Sequence, residues 1–175
     1  MTDGSAGAES YVAILELSAE IGRAWNGDAF TAAVAMVYVG IDTMALLSCP
    51  LGQAEQTKND FMAWVDAYLR ADPASDYQYE ATDVYAARSG LLHSYGSLAK
   101  DHRKSQPPRQ FCYIDNGQHH KDETARVVVI SVAALIDDYF RATESFVSAI
   151  FKDPALKQRV DSRVHNLFLD RFPLG

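Results

Sequence analysis

Arginine, histidine and tyrosine stand close together in the stretch "RSGLLHSY", as Arg88, His93 and Tyr95. Arg carries a planar fork that is always protonated and suits a phosphate. His gives or takes a proton near neutral pH. A phosphodiester beside a ribose 2′-hydroxyl needs both functions. His93 would activate the hydroxyl or protonate the leaving oxygen, while Arg88 would stabilise charge developing on the phosphoryl group. That reaction has no requirement for a metal or an organic cofactor.

The spacing raises a geometric question. On a helix, Ala81, Val84, Tyr85, Leu91, Leu92, Tyr95, Leu98 and Ala99 form one apolar stripe, and Arg88 lies in the middle of it. At 100° per residue His93 lies about 140° away from Arg88, on a flank of small residues that includes Ala86, Ser89, Gly96 and Ser97. A straight helix joins the two only if the long Arg side chain bends round. The alternatives are a distortion at Gly90 or a site completed across a two-fold interface. An arginine on such a stripe also needs an acidic partner. Asp42 is an isolated carboxylate within a nearly all-apolar helix. It can pair with Arg88 or orient His93, and the sequence does not choose between these.

The elements that must position these residues are mostly helical. The spacing predicts helices over about 9–25, about 28–48 with Asp28 as cap, and from Asn59 or Asp60 through "DFMAWVDAYLRA". A fourth, over about 77–102, carries the motif. Two more cover about 133–151 and the segment opened by Pro154. "FCYI" and "VVVI", with "DNGQ" between them, predict a small two-stranded hairpin near 110–130. The expected fold is therefore an all-α, single-domain bundle of five to six helices spanning 1–175, with a β-hairpin insertion.

Composition narrows the function. Apolar residues make up 48% and charged residues 22%, which is ordinary for a globular protein. The most apolar stretch, "FTAAVAMVYVGIDTMALLSCP", is interrupted by Asp42 and reads as a buried helix rather than a membrane span. The acidic start "MTDGSAGAES" lacks the basic opening of a signal peptide, so a cytoplasmic location is expected. Cys49 and Cys112 have no metal-ligand spacing. His119 and His120, near Asp115 and Asp122, read as a solvated turn rather than a metal site.

The formal charge of −7 opposes broad electrostatic attraction to nucleic acid. Lys100, Arg103, Lys104 and Arg109 form the densest basic run, and one reading makes them a rim for RNA phosphates. As an alternative, basic residues there simply suit the end of a helix.

"RSGLLHSY" resembles the R-x4-H motif of the HEPN (higher eukaryotes and prokaryotes nucleotide-binding) superfamily. With Tyr95 it is similar to the longer R-x4-H-x-Y form of some HEPN toxins. The resemblance covers 83–98 closely and the helical layout loosely. It implies an up-and-down bundle, a homodimer whose motifs meet in a cleft, and metal-independent RNA cleavage by Arg88 and His93 in a toxin or defence setting. It also implies an antitoxin partner and makes Tyr95 a modification position. Ser89 stands where the family places a polar helper. The superfamily includes inactive members, so a non-catalytic nucleotide- or protein-binding module is the alternative.

Overall fold

The computed structural model describes residues 5–72, 76–94 and 107–164. Among these lie six α-helices, one π-helical turn and three strands. The chain is helix-rich, with a small mixed sheet in place of the expected hairpin.

The first helix, α1 (Ser5–Asn26), buries Ile14 and Ile21, one face of a 3.6-residue repeat. It ends in a turn where Asp28 adopts a left-handed backbone, with φ 57°. Asp tolerates that conformation, but it turns the side chain away from the capping role expected of it. Ala29 occupies the cap position of α2 (Phe30–Ser48) and makes no side-chain bond there. The register of α2 instead comes from burial, since Val37, Tyr38, Ile41, Met44 and Leu47 are all enclosed. By length and composition α2 could cross a membrane, yet half of its most apolar window is buried against the rest of the fold. Gly40 lets α2 approach closely, because a Cβ there would overlap the ring of Tyr139.

A capping box starts α3 (Lys58–Trp64): Thr57 Oγ1 accepts from the Asp60 N–H, and Asp60 Oδ2 accepts from the Thr57 N–H at 2.7 Å. Those hydrogen bonds hold the Asp60 carboxyl below its ordinary range. A π-helical turn over Val65–Leu69 then widens the helix, closed by Arg70 N–H on Val65 O at 2.9 Å. The motif helix α4 (Ala81–Ser94) starts at the first residue of the stripe, later than the expected boundary near 77.

The sheet corrects the hairpin expectation. Strands β1 (Gln110–Ile114) and β3 (Val127–Ser131) run parallel, with Cys112 opposite Val129. The short β2 (His120–Asp122) pairs antiparallel on the other side of β3, giving the order β1-β3-β2. The physical reason is the length of 115–126, which is enough for the chain to turn at Gly117 (φ 116°), run out as β2 and turn again at Arg126 (φ 53°). "FCYI" and "VVVI" are strands as predicted, but the hairpin partner of the second is β2.

Ser131 ends β3 and caps α5 (Val132–Lys152), accepting from Ala134 N–H at 3.2 Å. Asp153 caps α6 (Pro154–Asp161). The Tyr38 and Tyr113 hydroxyls meet at 2.7 Å and tie α2 to the sheet. Burial raises the Tyr38 phenol well above its ordinary value and pushes Tyr113 up to about 12, so both stay neutral at physiological pH.

Candidate functional site

Arg88 projects from α4 towards α2, and its side chain is 19% exposed. Its Nε donates to Asp42 Oδ2 at 2.6 Å, and Nη2 reaches the same oxygen at 2.6 Å. Of the two roles the sequence leaves open for Asp42, the geometry selects pairing with Arg88. Both side chains are largely enclosed, so each charge depends on the other for its solvation.

The remaining edge of the guanidinium turns the other way. Arg88 Nη1 lies 3.2 Å from His93 Nε2. A guanidinium can only donate, so this contact places a lone pair on Nε2 and the ring proton on Nδ1. The contact lies within one protomer, and α4 continues through Gly90. The Arg side chain bends round, so neither a helix distortion nor a second copy is needed to join the pair. His93 is exposed, as a group that meets a substrate must be.

Sequence reasoning missed Gln56. From the loop before α3, Gln56 Nε2 donates to Asp42 Oδ1 at 2.6 Å. Four side chains thus form one hydrogen-bonded series, Gln56–Asp42–Arg88–His93, across three segments of chain. The loop is itself fastened: Gln53 reaches Glu55 O and Asp60, and Arg163 donates to Pro50 O and Gln53 O. Gln56 Oε1 is buried without a hydrogen-bond partner, an unfavourable feature accepted alongside the bond to Asp42. The only signal in the sequence was a polar residue immediately before a possible capping box.

Gln56, Asp42 and Arg88 of this series line a recess of about 360 Å³, with Val39, Thr43 and Glu55 at its edge. Replacing Gln56 with leucine removes a good hydrogen bond and a buried orphan acceptor together. The melting temperature is therefore expected to stay within about 3 °C of wild type, as read by thermal denaturation.

Ser89 is half-buried and takes no part in the series. Tyr95, Lys100, Arg103 and Lys104 lie outside the described residues. Arg109 is within them and is already engaged. Its backbone N–H donates to Asp83 Oδ1 at 2.7 Å, and its guanidinium contacts Asp83 Oδ2 at 3.2 Å and both Glu123 oxygens at 3.0 and 3.1 Å. An RNA phosphate would have to compete with two carboxylates for it.

His119 is also not the solvated turn residue expected. Its Nδ1 accepts from Ser131 N–H, and its Nε2 lies 3.2 Å from Asp138 Oδ2. Its ring packs edge-on against Tyr79. His120, the next residue, is exposed. The adjacent histidines therefore differ in their surroundings, His119 held against Asp138 just before β2 and His120 open to solvent as its first residue.

No family model matches the sequence, and no curated protein or solved structure is significantly similar to it.

Proposed function

We propose that this chain is a metal-independent endoribonuclease of HEPN type, a cytoplasmic toxin or defence component that works as a homodimer and is restrained by an antitoxin protein. The reading is supported above all by the 3.2 Å contact between Arg88 Nη1 and His93 Nε2. An always-charged donor and a proton acceptor are thereby held side by side on an exposed surface.

In the proposed reaction the substrate phosphate draws Arg88 Nη1 away from His93, and the freed Nε2 lone pair takes the proton of a ribose 2′-hydroxyl. The oxygen attacks the adjacent phosphorus, the bond to the 5′-oxygen breaks, and that oxygen takes a proton from water as it leaves. The products are a 2′,3′-cyclic phosphate and a free 5′-hydroxyl. Arg88 Nη1 stabilises the charge that builds on the non-bridging oxygens, while Asp42 and Gln56 hold it from behind. Since one protomer already contains the pair, the dimer's role would be to set a second pair across a shared cleft.

The test is cleavage of a mixed RNA pool in EDTA by wild type and His93→Ala, with matched circular dichroism and oligomeric state. Loss of the base is expected to slow cleavage by about 10²-fold or more. Equal cleavage by both proteins would reject the assignment.

One observation favours the binding-module reading. Asp42 engages Nε and Nη2 of Arg88, which leaves a ligand only the Nη1 edge. On that reading wild type retains RNA or nucleotide on a filter and releases it uncut.

A further inference from the structure

A second recess, of about 230 Å³, opens between the end of α2, the π-helical turn and α6. Cys49, Asp60, Trp64, Tyr68, Asp153 and Arg159 contribute to its wall. At about 30 Å³ per water, it has room for seven or so waters.

The hydrogen-bonding groups of this wall are unbalanced. Its two carboxylates already serve helix starts. Asp60 Oδ2 accepts from Thr57 and Gln53, each at 2.7 Å. Asp153 Oδ1 accepts from the Ala155 and Leu156 N–H groups at 2.8 and 3.2 Å. Ser48 and Cys49 donate to carbonyls of their own helix, but two nitrogen donors have no such partners. Trp64 is 2% exposed, and its buried Nε1–H meets no acceptor. Arg159 has a buried Nε without a partner and forms no ion pair among the described residues. Its neighbour Arg163 is different, because two backbone carbonyls accept from it. Buried polar groups are normally satisfied, so two orphaned donors in one wall call for an acceptor from outside the chain.

We propose that this recess is a binding site for a small planar organic carboxylate, held by Arg159. The guanidinium fork matches a carboxylate edge to edge. The rings of Trp64 and Tyr68, 5.3 Å apart between centroids, give the body of such a ligand an aromatic surface. The same guanidinium acts on the Tyr68 phenol, lowering a value that burial raises, so Arg159 and this ring are neighbours. Asp60 and Asp153 select against a phosphate dianion, which would meet two carboxylates at close range. The π-helical turn that carries Tyr68 is a backbone feature concentrated at functional sites. This site is separate from the Arg88 series and holds whether or not the chain cleaves RNA.

The experiment uses the full chain labelled with ¹⁵N-tryptophan, which carries two side-chain reporters, Trp25 and Trp64. Sodium benzoate, acetate and phosphate are titrated at constant ionic strength. Benzoate is expected to shift the Trp64 indole signal saturably, with a dissociation constant of about 1 mM or below, and to leave Trp25 unmoved. Arg159→Gln, checked for fold by circular dichroism, is expected to weaken this at least about tenfold, and Arg159→Lys to restore only part of it. No saturable shift in wild type, a shift unchanged in Arg159→Gln, or tighter binding of phosphate than of benzoate would each overturn the proposal.

Discussion

Replacing Arg88 with alanine is expected to slow RNA cleavage by about 10²-fold or more and to destabilise the fold by about 3 kcal/mol. The two losses have different origins and can be separated. The stability loss arises because the side chain of Asp42, only 18% exposed, would be left without its cation. Gln56 would remain its only hydrogen-bond donor among these residues. Breaking one side of an enclosed ion pair is far more damaging than removing both partners. The pair Arg88→Met with Asp42→Leu is therefore expected to regain most of the lost stability, because two apolar side chains fill the same space between α2 and α4. It should remain inactive, because no donor faces His93. Arg88→Lys completes the set. It keeps the charge near Asp42 but loses the fork that spans Asp42 and His93 together, so folding should survive better than cleavage. Urea unfolding of the four proteins, beside cleavage in EDTA, reads both effects. Recovery of cleavage in the Met/Leu double variant would show that Arg88 has only a structural role.

The parts of this site that were legible in the sequence are those that break a pattern. Arg88 interrupts an apolar stripe and Asp42 interrupts an apolar helix, and those two interruptions proved to be each other's partners. The helices were legible for the same reason, since α2 and α5 are apolar at spacings that only a buried helical face explains. What stayed hidden depends on contacts between segments distant in sequence. Gln56 looks like an ordinary loop residue until the turn before α3 brings it onto Asp42. Strand residues were recognisable in "FCYI" and "VVVI", but strand direction is set by the path of 115–126, and composition does not encode that path. Asp28 shows the limit of capping rules. An acceptor just before a helix caps only if its backbone is extended, and here a left-handed turn takes precedence.

Asp83 is the most consequential residue that the pattern concealed. It reads as one more polar position in the first turn of the motif helix, yet it is 2% exposed. Its carboxylate accepts from the Glu80 N–H at 2.9 Å, from the Arg109 N–H at 2.7 Å and from the Arg109 guanidinium at 3.2 Å. One side chain therefore starts α4 and fastens the chain entering β1 to it. Asp83→Ala is expected to lower stability by about 3 to 4 kcal/mol, since it removes the acceptor of two backbone donors and leaves Arg109 with Glu123 as its remaining carboxylate. For a chain of this length that corresponds to a fall of about 10 °C in melting temperature. Asp83→Asn keeps the shape and one acceptor oxygen but turns an amide N–H₂ towards donors, and about half that loss is expected. Glu123→Ala is the control on the same cation. Glu123 is well exposed, so its removal is expected to leave the melting temperature close to that of wild type. Thermal denaturation of the three variants decides the matter. Equal effects at Asp83 and Glu123 would mean that Arg109 is held by surface attraction alone, and the link between the motif helix and the sheet would have to lie elsewhere.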